Sequence, residues 1–343
     1  MSSQEQHIKP LATVLMPVHN VEKYLHEAID SILGQTFRDY IFLIINDGST
    51  DNSEEIVLSY ADPRIRYVRN EKNIGLVATL NRGLELIDTR YIIRMDSDDI
   101  SVPERFEILV NYMELHQHVG VFSSALERFG SESAIWTSPL SNDEIKAHLL
   151  FGSSIGHAPS IIRTSVLKEN QLYFRDVHPH MEDYDLWFRM KDLTDFANTS
   201  EVLYKYRVAD HNVTVVNRES VIDRKKKIFS WILGSIGIQP TDEELLFHIG
   251  FGGEHLKPSR EIVKKYRAWL DKLVEANRRT QSFPHEALKK EIEKRWNRLF
   301  YFLPDSSFGS IPVYARLSGG LTWAQIVYMS KFTVSKFVFR KGQ

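Results

Sequence analysis

The first hundred residues alternate between short apolar runs and segments in which apolar residues recur at helical spacing. The runs at residues 11–16 and 40–45 show no polar alternation, which is typical of strands buried on both faces. Residues 24–33 place apolar side chains three and four positions apart, which predicts an amphipathic helix. The alternation continues with strands at residues 65–69 and 91–95, and with helices that end near residue 60 and span residues 75–86 and 103–115.

This order of elements predicts an α/β fold with a mostly parallel sheet and helices on both faces, because short strand–helix–strand connections form right-handed crossovers. Ligands of such sheets bind beyond the carboxyl ends of the strands. Polar and acidic residues come after each of the four strands, at residues 17–20, 47–49, 73–75 and 96–99. We therefore expect the functional site at that edge of the sheet.

The pattern and the charge of the chain both change near residue 220. Residues 119–207 are mixed, with strands predicted at 119–124 and 160–163, a loop at 129–141 and a helix at 185–191. Helical patterns continue from residue 221. Residues 1–220 contain 21 Lys and Arg against 33 Asp and Glu, whereas residues 221–343 contain 22 against 12. We predict an α/β domain at residues 1–220 and a basic, mainly helical C-terminal region at residues 221–343.

The composition excludes several kinds of site. The 343 residues include no cysteine, so there is no disulfide, thiolate nucleophile or Cys-bound zinc. The sequence also lacks G-x-G-x-x-G after the first strand, G-x-x-x-x-G-K-[ST] and G-x-S-x-G, the patterns of dinucleotide, P-loop and α/β-hydrolase sites. Residues 1–10 are polar, unlike a signal peptide, and no apolar run predicts a spanning helix. We expect a cytoplasmic location and no nucleic-acid partner.

Three carboxylates follow the fourth strand. Asp96 and Asp98 lie two positions apart, so an extended backbone projects both to one face. Two such carboxylates repel each other unless a cation lies between them, and Mg²⁺ or Mn²⁺ prefers oxygen ligands that it shares with substrate phosphates. The alternative is a solvated turn that leads into a helix capped by Ser101. The two aspartates alone do not decide between these interpretations.

The motifs in residues 10–215, taken together, resemble those of the family 2 glycosyltransferases, which are inverting enzymes with the GT-A fold. The resemblance rests on the order and spacing of six segments, none of which is specific by itself. They are Val-Leu-Met-Pro-Val-His-Asn at residues 14–20, Ile-Asn-Asp-Gly-Ser-Thr-Asp at 45–51, Asn-Glu-Lys-Asn-Ile-Gly at 70–75, Arg-Met-Asp-Ser-Asp-Asp at 94–99, Gly-His-Ala-Pro-Ser at 156–160 and Glu-Asp-Tyr-Asp-Leu-Trp at 182–187.

The resemblance implies a nucleotide-sugar half near residues 10–100, with a UDP-sugar as the usual donor, and an acceptor half near residues 101–220. Asp47 would accept a hydrogen bond from the base, and Asp96 would face the ribose or the metal. A plain tight turn is the alternative for Asp47. The nucleotide-binding residues implied in this way are Pro17, Val18, Asn20, Glu22, Asp47, Asn73, Gly75 and Asp96.

The resemblance also implies the chemistry. Asp183 matches the catalytic base that takes the proton of the attacking acceptor hydroxyl, and Asp98 matches a ligand of Mn²⁺ or Mg²⁺. Glu182, Trp187 and His157 would contact the acceptor, a glycan or lipid-linked glycan of polysaccharide biosynthesis. Since acids are also favoured in the first turn of a helix, Glu182 and Asp183 have a purely structural alternative.

One position departs from the family pattern. Family members often carry a histidine two residues after a Tyr-Arg pair, where it can bind the metal. Here the sequence Tyr206-Arg207-Val208-Ala209 places alanine there, and His211 follows two residues later. His211 is therefore the expected substitute ligand.

The C-terminal region lies outside the resemblance. After Asp305 there is no acidic residue, while aromatic and basic residues continue to Lys341. Residues 306–343 predict either an amphipathic segment at the inner face of the cell membrane or a helix packed on the protein with a solvated charged face.

Two functions compete with glycosyl transfer at this stage. A sugar nucleotidyltransferase also uses a parallel sheet and Mg²⁺, but it needs a Gly- and Arg-rich phosphate loop that residues 17–20 do not supply. A sugar-nucleotide- or glycan-binding protein without catalysis is the other, and the carboxylates Asp96, Asp98 and Asp183 argue against it.

Overall fold

The chain forms two compact units, residues 1–221 (unit 1) and residues 222–343 (unit 2). The structure is a computed structural model that describes residues 9–208, 218–251 and 256–340, with the backbone alone for residues 218–220 and 333–340. The two units differ in class, since all strands of the described residues belong to unit 1 and unit 2 is helical there.

Unit 1 is built on a mixed sheet that has nine strands within the described residues, in the order β3-β2-β1-β4-β8-β6-β9-β5, with β7 on β6. β1 pairs in parallel with β2 and β4, and β2 with β3. β8 is antiparallel to β4 and β6, while β9 is parallel to β6. The strands are β1 Ala12–Val18, β2 Tyr40–Asn46, β3 Ile65–Arg69, β4 Tyr91–Arg94, β5 Ile100–Ser101, β6 Val119–Gly130, β7 Ala134–Trp136, β8 Ser160–Arg163 and β9 Asp195–Val208.

Helices cover the sheet, so β1 is buried along its whole length and lies in the hydrophobic core. This confirms the predicted α/β class with a mostly parallel sheet, because a strand covered on both faces has no polar alternation. The helices of unit 1 are α1 Glu22–Leu33, α2 Ser53–Leu58, α3 Leu76–Leu86, α4 Arg105–Leu115, α5 Asn142–His148, α6 Thr164–Glu169 and α7 Glu182–Met190.

Helix α3 lies unusually close to β1. A Cβ atom added at Gly83 would lie 2.4 Å from Cδ1 of Leu15 and 3.2 Å from Cδ1 of Ile45. Glycine is therefore what permits this distance between the helix and the sheet. The position of α3 matters for the site because Gly75 directly precedes the helix and Asn81 lies in it.

Two details differ from the sequence prediction. β1 continues through Pro17 to Val18 instead of ending at the proline. The pairing of β4 with β1 stops at Leu15, so the missing N–H of Pro17 falls beyond that ladder. Residues 129–141 are not simply a loop, because β7 pairs with the long end of β6 as a hairpin.

Unit 2 packs helices around a buried aromatic group. The rings of Trp296 and Tyr314 stack with centroids 4.7 Å apart, and Trp269 and Phe300 are also buried. No helix of the described residues is both long and apolar enough to cross a membrane. The helices of unit 2 are α8 Arg218–Ser235, which begins in unit 1, α9 Asp242–Ile249, α10 Arg260–Thr280, α11 His285–Phe300, α12 Leu303–Ser306, α13 Ile311–Leu317 and α14 Trp323–Arg340.

Candidate active site

Asp47 is the centre of the loops at the carboxyl ends of β1, β2 and β3. Its side chain is buried, and its Oδ1 accepts from Nδ2 of Asn70 (2.7 Å) and the backbone N–H of Ile74 (2.9 Å). Oδ2 accepts from the N–H of Gly75 (3.0 Å). The carboxylate thus fixes the loop that leads into α3. Oδ2 keeps a further lone pair, and a hydrogen bond from a nucleotide base to Asp47 stays a prediction.

His19 joins the first and third loops. Its Nδ1 lies 2.9 Å from the Asp47 carbonyl oxygen, and its Nε2 lies 2.9 Å from Nδ2 of Asn73. A carbonyl can only accept, so Nδ1 carries the proton and Nε2 accepts from the amide. The other end of Asn73, Oδ1, accepts from the Gly75 N–H (2.9 Å). Asn73 and Gly75, both predicted to border the nucleotide, are therefore held in one network.

Asn20 and Glu22 tie the first loop to the second. Oδ1 of Asn20 accepts from the N–H of Thr50 (2.8 Å), and Oε2 of Glu22 accepts from the N–H of Asn52 (3.0 Å). In return, the N–H of Glu22 donates to Asp51 (3.0 Å). Both predicted nucleotide-binding residues thus shape the loops, while their direct contact with a nucleotide stays a prediction.

Pro17 and Val18 lie at the end of β1, opposite Ile45 and Asn46 of β2. Both side chains are buried, and the Val18 carbonyl accepts from the N–H of Asp47 (2.7 Å). Their side chains therefore do not face a ligand, and the predicted contact through backbone groups is untested.

The acidic turn after β4 combines three carboxylates with buried arginines. Arg94 is almost completely buried and donates from Nη2 to Oδ1 of Asp96 (2.6 Å). Burial and, after it, the charge of Asp96 raise the pKa of Asp98 to about 6. Burial together with Asp96 and Asp98 also raises the pKa of Asp99 well above its usual value. Three charged carboxylates are therefore unfavourable in this turn, and a cation beside Asp98 would favour their charged forms.

Two further arginines hold this turn in place. Arg207 of β9 donates from its N–H to Asp99 (2.7 Å), from Nε to the Asp98 carbonyl (2.7 Å) and from Nη2 to Glu27 (2.6 Å). Arg105 of α4 is fully buried and donates from Nη2 to the carbonyls of Arg94 (2.7 Å) and Ala158 (2.6 Å). Burial lowers the pKa of Arg105 to about 10, so it remains a cation at neutral pH.

Asp183 lies in the first turn of α7, half-buried, beside Glu182. Burial and, after it, the charge of Glu182 raise the pKa of Asp183 to about 7, and the charge of Asp96 contributes in the same direction. Asp96 and Arg94 also act on Glu182, whose pKa is raised mainly by burial. The structure thus brings the acidic turn after β4 and the start of α7 into one electrostatic environment, although they are far apart in sequence.

An open cleft of about 610 Å³ connects the nucleotide loops with α7. Asn81 joins two segments of its lining, because its side-chain amide exchanges two hydrogen bonds of 2.9 Å with the backbone of Phe174. His180, which also lines the cleft, has the positive φ of 60° that non-glycine residues rarely adopt. The lining residues are those at 74–78 and 173–177 together with Asn81, Pro179, His180 and Glu182.

His157 and Trp187 lie behind the cleft lining. Trp187 is fully buried, and a direct contact of its side chain with an acceptor stays a prediction. The Trp187 ring packs 6.2 Å from His157, which packs 5.2 Å from Phe174 of the cleft. Burial and, after it, the charge of Arg94 lower the pKa of His157 well below its usual value. An acceptor contact of His157 stays a prediction.

The residues present fit a divalent cation that takes only part of its ligands from the protein. Within the described residues, no group of three or more His, Cys, Asp or Glu is arranged to hold a metal ion. Asp98 and Asp96 supply hard oxygen ligands, and the charge of Asp96 acts on Asp98, which suits an ion that shares its coordination with substrate phosphates. His211, the predicted further ligand, lies outside the described residues.

Sequence patterns did not identify Arg105 or Tyr204 as parts of the site. The Tyr204 hydroxyl accepts from the N–H of Asp96 (3.2 Å), and the Arg105 guanidinium lies 4.8 Å from the Tyr204 ring. Buried arginine and tyrosine are uncommon without partners, but a single sequence does not show which residues are buried.

The comparisons with known proteins agree with this geometry. Residues 13–178 match the family model described as glycosyl transferase family 2. An uncharacterized glycosyltransferase of Haemophilus influenzae is 35% identical over 248 residues, which covers 67% of this chain and 76% of the relative. The amylovoran biosynthesis glycosyltransferase AmsE of Erwinia amylovora is 32% identical over 209 residues, or 59% of this chain and 77% of that protein.

Solved structures show the same fold at low sequence identity. TarS residues 1–349 of S. aureus, in complex with UDP-GlcNAc, superposes with a TM-score of 0.55 at 18% identity, covering 80% of this chain and 82% of that one. The mannosyltransferase PcManGT of Pyrobaculum calidifontis, in complex with GDP-Man and Mn²⁺, gives a TM-score of 0.51 at 13% identity, with coverages of 96% and 81%. At such identities the likeness concerns the GT-A fold alone.

Proposed function

The chain belongs to glycosyltransferase family 2, and we propose that it transfers a sugar, with inversion, from a UDP-sugar to a glycan or lipid-linked glycan in polysaccharide biosynthesis. The observation that carries the proposal is the joint position of Asp183 and the acidic turn. A half-buried carboxylate with a pKa near neutrality shares its environment with Asp96 at the carboxyl end of β4. A base beside a diphosphate site is what single displacement at an anomeric carbon requires.

The donor would bind across the loops at residues 17–22, 47–52 and 73–75. These loops are already joined by Asp47, His19, Asn20 and Glu22, so little ordering is needed when the nucleotide binds. UDP as the nucleotide is supported by the sequence resemblance and by the UDP-GlcNAc bound in the TarS neighbour. A hexose or N-acetylhexosamine is the proposed donor sugar.

In the reaction that we propose, the acceptor hydroxyl oxygen attacks the anomeric carbon while the bond from that carbon to the diphosphate oxygen breaks. The bonding pair leaves with the diphosphate, and the hydroxyl proton passes to the Asp183 carboxylate. Mn²⁺ or Mg²⁺ held by Asp98 and Asp96 would neutralise the charge of the leaving group. Arg105 and Arg207 keep the acidic turn in position through the backbone and through Asp99.

The acceptor would occupy the cleft in front of α7. Its rim exposes Ile74, Leu76, Tyr173 and Val177, and Glu182 lies at its inner end. Apolar side chains with a few polar groups suit the apolar face and hydroxyls of a sugar ring. Lipid-linked acceptors lie at the inner face of the membrane, and contact of residues 306–343 with that membrane is a separate proposal on which the assignment of the base does not depend.

The substitution Asp183→Asn tests the proposal. We expect transfer from UDP-sugar to fall by roughly 10²–10⁴-fold, the usual contribution of a general base. Binding of UDP with Mn²⁺, measured by calorimetry, should stay unchanged because the donor loops are intact. Asp176→Asn is the matched control, since Asp176 is an exposed carboxylate that lines the same cleft. Full transfer activity in Asp183→Asn would show that the base is another residue.

A further inference from the structure

The last helix of unit 2 is held to the unit by one of its faces. Gln325 is buried and donates from Nε2 to the Tyr314 hydroxyl (2.9 Å). The Tyr328 ring lies 5.0 Å from the Tyr301 ring. Positions 325, 328 and 332 are three and four residues apart and so lie on one side of α14.

The opposite face of α14 is exposed and apolar. Trp323 is 77% exposed and Ile326 is 46% exposed, although both are large apolar side chains. We call this face the outer stripe; its positions among the described side chains are Trp323, Ile326, Val327 and Ser330.

Unit 2 has further exposed apolar side chains, and the C-terminal part of its sequence is positively charged. Tyr301, Phe308 and Leu317 are each at least 41% exposed. Residues 306–343 contain five basic and no acidic residues. Exposed apolar patches of this kind mark interaction sites, because leaving them in water is unfavourable. The charge then selects the partner, since every basic residue attracts an anionic surface.

We propose that the outer stripe is a docking surface for an anionic lipid bilayer. Helix α14 lies parallel to the membrane, with Trp323 and Ile326 inserted between the headgroups and Lys331 beside the phosphates. A helix that cannot span a bilayer but carries an apolar line beside basic residues suits this position. A second copy of the chain fits less well, because a symmetric contact through the stripe would bring the Lys331 side chains of the two copies together.

The test is flotation of the full-length protein with vesicles, together with the emission of Trp323 on insertion. Vesicles of equimolar phosphatidylcholine and phosphatidylglycerol should bind the protein, and phosphatidylcholine alone should bind it much more weakly. Added salt should weaken the binding. The double variant Trp323→Ala/Ile326→Ala should lower partitioning about tenfold or more, because inserted apolar area is lost. Lys331→Gln should lower it about fivefold on anionic vesicles only.

Leu115→Ala is the matched control, since Leu115 is an 80% exposed apolar side chain of unit 1, and its partitioning should equal that of the unchanged protein. UDP binding should persist in every variant, so a failure here is distinct from a failure of the proposed function. Equal flotation of the double variant and the unchanged protein overturns the proposal. A change of oligomeric state in the double variant, without vesicle binding by the unchanged protein, assigns the stripe to a protein contact instead.

Discussion

At the scale of single residues, three aspartates of the site differ mainly in what surrounds them. Asp47 accepts hydrogen bonds from two backbone N–H groups and an amide, which hold the loop that leads into α3. Asp98 and Asp183 are half-buried beside other carboxylates, which disfavours their charged forms. The sequence motifs identified all three residues, but the environments that separate their roles come from residues distant in the chain.

The raised pKa of Asp183 predicts how transfer depends on pH. A base acts only when it is deprotonated, and the pKa of Asp183 is about 7, above its ordinary value. The rate of transfer should therefore increase as the pH rises through about 7 and level off above it. Measurement of kcat/KM against pH at constant Mn²⁺ checks this. Asp176→Asn should keep the inflection, and the residual activity of Asp183→Asn should lack it; an inflection common to both variants would contradict the assignment.

A second prediction compares the stability of alanine variants at Gly48 and Gly75. Both glycines have positive φ, of 64° and 89°. A Cβ at Gly48 would lie 2.5 Å from the backbone N of Asn73, whereas a Cβ at Gly75 would meet no atom within 4 Å. Gly75→Ala should cost about 1–3 kcal/mol of unfolding free energy through its conformation alone, because φ of 89° with ψ of 157° is a combination that few residues other than glycine adopt. Gly48→Ala should cost more and also weaken UDP binding, because the loop at residues 72–75 must move. Equal losses in denaturant titrations of the two variants would be inconsistent with this contact.

At the scale of elements, the sequence predicted the parallel part of the sheet well because each of its strands is a run of apolar residues. β3 was predicted at its observed bounds, residues 65–69. The sequence did not predict β9 as a 14-residue strand, because buried and exposed positions do not alternate regularly along its length. The contact between β9 and the acidic turn, through Arg207, connects elements that are more than a hundred residues apart, and local patterns carry no information about such pairs.

Arg105 connects three of these elements, α4, β4 and the segment before β8. Arg105→Met should lower the free energy of unfolding by roughly 1–3 kcal/mol, because the Arg94 and Ala158 carbonyls lose their donor while a buried charge is removed. Transfer should also fall, since the acidic turn is no longer fixed. Arg90→Met is the control: Arg90 forms a surface ion pair with Glu114 (3.0 Å), and its loss should cost at most about 1 kcal/mol. Urea unfolding of both variants measures the difference.

At the scale of the whole molecule, an acidic α/β unit and a basic helical unit share one chain. The sequence placed a change of charge and pattern near residue 220, and the structure divides at residues 221 and 222. The helical packing of unit 2 was expected in outline only. Its internal contacts, such as the stacking of Trp296 on Tyr314, depend on tertiary structure and have no motif.

Hydrogen exchange of the full chain should separate the roles of the two units. UDP with Mn²⁺ should slow exchange at residues 17–22, 47–52 and 73–75, because a ligand at a hundred times its dissociation constant stabilises the bound state by about 2.7 kcal/mol. Exchange in α14 should respond to anionic vesicles and not to the nucleotide. Protection of α14 by UDP and Mn²⁺ alone would mean that this division of roles is incorrect.

The close approach of α3 to the sheet at Gly83 gives the protein a sensitive position away from any ligand. Eight residues separate Gly83 from Gly75, a length of roughly 12 Å along a helix. A methyl group at residue 83 would have to displace Leu15 or push the helix outward. An outward shift of the helix would move the nucleotide loop together with Asn81, whose side chain is hydrogen-bonded to the backbone of Phe174. Small changes in side-chain volume at residue 83 would then change donor affinity without a direct contact to the donor. This position is therefore a starting point for engineering that leaves every ligand-facing side chain unchanged.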